Sequence, residues 1–180
     1  MSILKSNKTK SRIIDLTKPV EIKTYLTVSV LGKSLNLNVN YKRIDVPELD
    51  MGEKEVNIYL PSRYKVTGSV NIVSEAIKKM YDKIASIELE SSMEKIRIIL
   101  GFAPDDYEIK RMSDSFCKVK NKVITINPDI VKYDRKVIDS TLIQAFCKAR
   151  YKQNSKAYKE ALKNGLNKYE NYKYRAIKVS

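Results

Sequence analysis

No histidine and no tryptophan occur in these 180 residues. The first absence removes the side chain best suited to proton transfer near neutral pH, which is also the commonest metal ligand. Ser/His/Asp and Cys/His nucleophile arrangements are therefore excluded, while mechanisms that use carboxylates alone stay open. Cysteine is nearly as scarce. Cys117 and Cys147 are too few for a disulfide framework, and as a metal pair they would need two more ligands. Five glycines and five prolines argue against a loop-rich or low-complexity chain, and there is no Walker loop, glycine-rich nucleotide turn or internal repeat. No apolar run approaches the roughly eighteen residues of a membrane span. Lys5, Lys8, Lys10 and Arg12 break up the N-terminus, which predicts no secretory signal peptide and an intracellular (cytoplasmic) or virion location with reduced thiols.

What is abundant is positive charge, a net +14, and it is gathered at the two ends. Residues 1–12 carry four basic and no acidic side chains; residues 148–180 carry ten basic against Glu160 and Glu170. The long middle is close to neutral. Such clustering suits nucleic acid, an acidic protein surface or an anionic membrane face, and is equally what a solvated lysine-rich surface looks like. The candidate contacts are Lys5, Lys8, Lys10 and Arg12 in the first arm. At the other end Lys168, Tyr172, Lys173, Tyr174 and Arg175 interleave rings that could stack on bases with cations that could neutralise phosphates. The same mixture would serve a tail docking on another protein.

Taken in order, the chain divides into a basic arm (1–12), one α+β domain (13–165) and a basic tyrosine- and lysine-bearing tail (166–180). Residues 20–31 are rich in β-branched and aromatic side chains. After a turn at Gly32-Lys33, Leu35, Leu37, Val39 and Tyr41 alternate with polar neighbours, which predicts a β-hairpin. Residues 46–51 read as a loop around Pro47, and 55–60 as a third strand stopped by Pro61. Arg63, Tyr64 and Lys65 sit in a basic loop that could meet phosphate. A helix capped by Ser69 is predicted to about residue 86, and a second from 93 to 100 ends at Gly101. Asp105-Asp106 after Pro104 reads as a turn rather than an acid/base pair. Short strands follow at 107–112, 115–119 and 123–126, with Lys120-Asn121-Lys122 turning between the last two. A final helix capped by Ser155 is predicted to stop at Gly165.

Residues 137–154 form the most informative stretch. Val137, Ile138, Thr141, Leu142, Ala145 and Phe146 recur at helical spacing, and either Asp134 or Asp139 can stabilise the helix N-terminus. Gln144 and Lys148 stand about 40° apart around the axis, on one face. By itself this could be one core helix of an unrelated α+β domain. Its surroundings, however, keep a recognisable order: Ile124-Thr125-Ile126-Asn127, then Val137-Ile138-Asp139, then Gln144-Ala145-Phe146-Cys147-Lys148, then Gln153-Asn154-Ser155 with Tyr158. This resembles the YgjP-like (WLM-type) zinc metallopeptidase-like family. That family typically reads Ile-x-Leu-Asn, then Val-Ile-Asp-x-Val-x-x-His-Glu-Leu-x-His, then a third histidine in Asn-His-Ser before an aromatic. Arg111 to Cys117 resembles a stretched version of the family's Arg-Trp-Gly-Ser-Cys turn.

The resemblance implies an α+β, zincin-like domain: N-terminal antiparallel strands plus helices packed on a small sheet, with basic N- and C-terminal tails. It also places the family's metal ligands at Gln144, Lys148 and Asn154, and its catalytic glutamate at Ala145. None of the three is a good zinc ligand, and Ala145 has no group that can carry a proton. An ammonium about 4 Å from a divalent cation, at an effective dielectric near 20, costs roughly 8 kcal/mol. The chain is thus expected to be an inactive relative of zinc hydrolases that needs no metal and no cofactor. Its expected role is structural, an interaction component of a larger assembly, with a virus or phage particle or another nucleic-acid-containing machine as host. Its expected partners are other proteins of that assembly and DNA or RNA. The alternatives are a nucleic-acid-binding module and a surviving metal-dependent hydrolase, acting as a peptidase or a nucleotide pyrophosphatase.

Overall fold

The computed structural model of the chain describes residues 26–67 and 70–179, with side chains over 26–65 and 70–172. The N-terminal arm with Lys5, Lys8, Lys10 and Arg12, the start of the first predicted strand, and the Ser69 cap lie outside the described residues. Lys173, Tyr174 and Arg175 are described as backbone only.

The predicted hairpin is present as β1 (Leu26–Val30) and β2 (Lys33–Lys42), joined by the two residues Leu31-Gly32, both with positive φ. Period-two alternation puts Val28, Val30, Leu35 and Leu37 in the core and leaves Asn36, Asn38 and Asn40 exposed or half-exposed. After β2 the chain crosses to the far edge of the sheet as β3 (Glu48–Met51). It returns as β4 (Glu55–Pro61) into the gap, giving the order β1-β2-β4-β3. The strands pair antiparallel as expected except at one seam. β2 and β4 run parallel, with Leu37 beside Val56 and Val39 beside Ile58, because the returning strand inserts between its two predecessors. β3 occupies part of the stretch read as a loop. Its single inward residue pair, half-buried Leu49 and exposed Met51, is too short a pattern to stand out in sequence.

The two helices predicted at 69–86 and 93–100 are one, α2 (Val70–Leu100). Residues 87–92 contain no glycine or proline, and Leu89 and Ser92 extend the buried stripe of Tyr81, Ala85, Met93, Ile96 and Ile99 without a change of phase. A single helical turn, α1 (Tyr64–Thr67), precedes it where a basic loop was read. Gly101, at φ +75°, ends α2 as predicted.

The second sheet repeats the winding of the first. β5 (Asp106–Ile109) is followed by β6 (Cys117–Lys120) on the far edge and β7 (Val123–Ile126) between them, parallel to β5 and antiparallel to β6. The turn Asn121-Lys122 has positive φ at both residues. Asn127 then organises the exit. Its Oδ1 accepts from the backbone of Asp129 (3.1 Å), opening the 3₁₀ turn Pro128–Lys132, while its Nδ2 donates to the carbonyl of Met112 (2.7 Å). Residues 110–116 are drawn off the sheet by that contact, so β5 and β6 are shorter than predicted.

α3 (Arg135–Arg150) is capped by Asp134, whose carboxylate accepts from Val137 N at 2.9 Å. Gly32 sits against this cap. Besides its φ of +78°, a Cβ there would come 2.7 Å from Asp134 Cβ, so the first hairpin can dock on the start of α3 only through glycine. α4 (Lys156–Val179) starts at its Ser155 cap, as predicted, but does not stop at Gly165. Gly165 is where α4 crosses its neighbours most closely. A Cβ would lie 2.6 Å from a methyl of Leu100 and 3.2 Å from one of Ile143. Beyond it Leu166 and Tyr169 keep the inward face, and the helix of α4 continues through residues 166–179.

Of the ion pairs that join the helices, one has a fully buried carboxylate. Asp139 is fully buried and pairs through Oδ2 with Lys95 of α2, whose side chain is one-quarter exposed. Tyr169 of α4 closes the cluster, its ring centroid 5.5 Å from Lys95 Nζ. Burial, and next the neighbouring Asp139 carboxylate, hold its phenol well above the usual tyrosine range.

Two outcomes follow for urea unfolding. Asp139→Ala strands Lys95 and should lose about 3–5 kcal/mol, while replacing both partners by apolar residues should lose clearly less. Gly165→Ala should destabilise by about 1–3 kcal/mol through overpacking, although alanine is the better helix former by about 1 kcal/mol. A neutral or stabilising Gly165→Ala would mean that α4 does not pack there.

Candidate functional site

The residues singled out from the sequence fall on and just after the last two turns of α3. Gln144 and Lys148 share a face, Gln144 exposed and Lys148 half-buried. Ala145 points the other way, into the core, at 3% exposure. Asn154 is exposed in the turn between α3 and α4 at φ +67°, a conformation asparagine tolerates. A lysine in the last turn of a helix is well placed, since the carbonyl ends there carry partial negative charge. Lys148 makes no hydrogen bond or ion pair among the described residues. The buried carboxylate of α3, Asp139, pairs with Lys95 of α2.

The neighbour of Lys148 across the helix–sheet contact is Cys117 on β6. Burial pushes the Cys117 thiol up to about 11, against a smaller opposing pull from the Lys148 ammonium. Burial likewise raises Cys147 to about 11. Neither thiol is a thiolate near neutral pH, which makes each a poor nucleophile and a poor ready-made ligand. Among the described residues no group of three or more His, Cys, Asp or Glu side chains is placed to hold a metal ion. Gln144, Lys148 and Asn154 offer two exposed amides and an ammonium, a set that does not fit zinc.

Other candidates from the sequence are engaged locally. Asp106 caps its own turn, accepting from Tyr107 N at 2.7 Å. Arg63 donates to the carbonyl of Asp45 at 2.6 Å and stacks near Tyr64. Arg111 lies away from α3's site face. Its guanidinium donates to Asp129, Asp82 and the carbonyl of Lys78, each at 2.7 Å, and so ties the 110–116 loop to α2 and the 3₁₀ turn. Burial would raise the Asp129 carboxyl, but Lys132 and Arg111 outweigh it and hold that pKa below the ordinary value.

Two surface clefts of about 390 Å³ each lie elsewhere. One runs between β1 and the first half of α2, past Val73, Ile77, Arg111 and Lys132. The other lies between α2 and residues 103–107, floored by Met93 and Phe146 and rimmed by Glu90, Glu94, Asp105 and Asp106. Gln144, Lys148 and Asn154 line neither.

Sequence reasoning missed Lys95 and Tyr169 as polar core residues and took Asp139 for a cap candidate. The signal was present: Asp139 interrupts the apolar stripe of Ile138 and Leu142, and a charge on a buried stripe needs a partner.

No helix among the described residues is long and apolar enough to cross a membrane. No curated protein and no solved structure matches the chain. The family model of the YgjP-like, metallopeptidase domain matches residues 2–175. The two small sheets and the helices packed on them are consistent with the α+β, zincin-like fold of such a domain. With the match running almost from end to end, the chain belongs to the YgjP-like metallopeptidase-domain family.

Proposed function

We propose that this chain is a noncatalytic member of its family, a zincin-like scaffold that works through contacts in a larger assembly and not through hydrolysis. The observation that carries the reading is the residue set Gln144, Ala145, Lys148 and Asn154, which the resemblance aligns with the family's ligands and general base and which supports a chain without them. An ammonium at a metal position repels the ion, and amide side chains do not replace imidazole or thiolate. The surface supports an interaction role. Ile87 and Ile98, exposed at 62% and 61%, lie on one side of α2 three turns apart. The basic groups gathered after residue 148 favour an assembly that contains nucleic acid, a virus particle among them.

The competing reading is a residual hydrolase that uses carboxylates to hold a metal. Metal analysis of purified protein separates the two. The noncatalytic reading expects far less than one equivalent of zinc or manganese and no change in thermal midpoint on chelation or zinc addition. A stoichiometric ion removed by substituting an aspartate or glutamate would overturn it. A second measurement tests the placement itself. The combined change Gln144→His, Ala145→Glu, Lys148→His and Asn154→His should confer zinc binding that raises the thermal midpoint, because metal affinity adds to folding stability. If that variant folds and still ignores zinc, the four positions do not form the family's metal site.

A further inference from the structure

We infer that β2 carries, beyond Leu37, a seat for one more length of extended chain, and that its occupant is residues 20–25 of this chain, a segment outside the described residues. Among the described residues the β1–β2 ladder ends at Leu26 opposite Leu37, while β2 runs on to Lys42 and stays paired with β4 as far as Pro61. The amide of Asn36 donates to the carbonyl of Lys54, and the carbonyl of Lys42 accepts from the amide of Ser62, so the even-numbered residues of β2 bond toward β4. The odd-numbered ones turn their N–H and C=O the other way, along the line of β1. Val39 is the first of them past the end of the ladder, and it is half-buried against the core. A backbone donor and acceptor in such surroundings call for a strand partner.

The residues before Leu26 fit that seat in phase, register and charge. Val20, Ile22 and Thr24 are in step with the inward row Leu26, Val28 and Val30, while Glu21, Lys23 and Tyr25 are in step with outward Thr27 and Ser29. Carrying the β1–β2 register on sets Thr24 opposite Val39, Ile22 opposite Tyr41 and Glu21 opposite Lys42, the last a cross-strand pair of opposite charge. Pro19 closes the run upstream, because it has no N–H to give a ladder.

The inward side of the seat is apolar and open. Leu26 is 46% exposed, although Val28 in the same row is at 7%. Leu26 lines the cleft of about 390 Å³ between β1 and the first half of α2, together with Leu37, Val70, Val73 and Ile77. Val70 is 80% exposed. In the extended register Thr24 and Ile22 prolong the inward row past Leu26 on this side of the sheet. The tether selects this segment over a strand from another molecule: residue 25 is bonded to the last rung of the ladder, so its effective concentration there is far above that of a free chain.

Cysteine cross-linking of the full chain tests the assignment, with Cys117→Ser and Cys147→Ala leaving only the introduced pair. Tyr25→Cys with Asn38→Cys joins directly opposed residues outside the hydrogen-bonded positions, about 4.5 Å apart at Cα. That is within disulfide reach, and oxidation should give a monomeric cross-linked product. Tyr25→Cys with Asn40→Cys, two residues out of register, should give far less. A dimeric product would assign the seat to a second copy, and no product for 25–38, or equal yields for the two pairs, would take residues 20–25 off it. Hydrogen exchange gives a readout without engineered thiols. The Val39 amide should be protected in the parent chain, lose protection in Ile22→Asp and keep it in Lys23→Gln, whose side chain faces out. Free exchange at Val39 in the parent, or protection untouched by Ile22→Asp, would overturn the inference. Neither readout involves residues 144, 145, 148 or 154, so it stands or falls independently of the noncatalytic reading.

Discussion

The Lys95–Asp139 pair is the constraint around which the helices are set. A carboxylate with no exposure is tolerable only if a cation reaches it, and only α2 supplies one. That requirement fixes the rotation of α3 about its own axis: with Asp139 turned toward Lys95, the adjacent Ile138, Leu142 and Phe146 enter the core and Gln144 must face out. Tyr169 adds α4 to the same point, its ring beside Lys95 and its hydroxyl held in the un-ionised form by burial and by Asp139. Asp139 Oδ1 has no hydrogen-bond partner among the described residues, which makes the cluster sensitive to loss of its one strong contact. The exposed face of α3 therefore owes its direction to a charge on the buried face.

A second set of polar pins holds the sheets to that helix frame. Asn127 uses both ends of its amide, one to open the 3₁₀ turn and one to hold the 110–116 loop. Arg111 fastens the same loop to α2 through three acceptors. Asp134 caps α3 where Gly32 lets the first hairpin come into contact. All of these lie at the N-terminal end of α3 or beyond it, away from residues 144–154. The polar pins thus lie at one end of the helix, while its other end is held by apolar packing of Ile143, Phe146 and Cys147.

How much of this could be read from the sequence follows from the range of each signal. The β1–β2 hairpin, the Gly101 stop and the Ser155 cap were legible because each is written in a few adjacent residues. The insertion of β4 between β2 and β3 was not, since antiparallel and parallel neighbours impose the same alternation on a strand and pairing is decided by tertiary contacts. The α2 helix was split because exposed Ile87 and the polar run 90–92 obscure a buried stripe that continues through Leu89 and Ser92. Gly165 was taken for a stop because glycine has two uses in a helix, release of φ at an end and removal of a Cβ at a crossing, and only Leu100 and Ile143 tell them apart. Gln144 and Lys148 could be put on one face from spacing alone. That Ala145 is buried while Asn154 is exposed needed the fold.

These burial differences bear on how a family scaffold can stand with such residues. Gln144 is exposed, so its identity weighs little on stability, whereas exposed Asn154 holds a positive φ that suits asparagine. Position 145 is different: at 3% exposure, a glutamate there would have to be neutralised by a metal centre, a proton or a nearby cation. Alanine leaves no charge stranded there. Lys148, half-buried on the last turn of α3, gains from the carbonyl ends of its own helix what it lacks in a carboxylate partner. On the noncatalytic reading, then, the four residues form a set in which each is compatible with the absence of the other three's original chemistry.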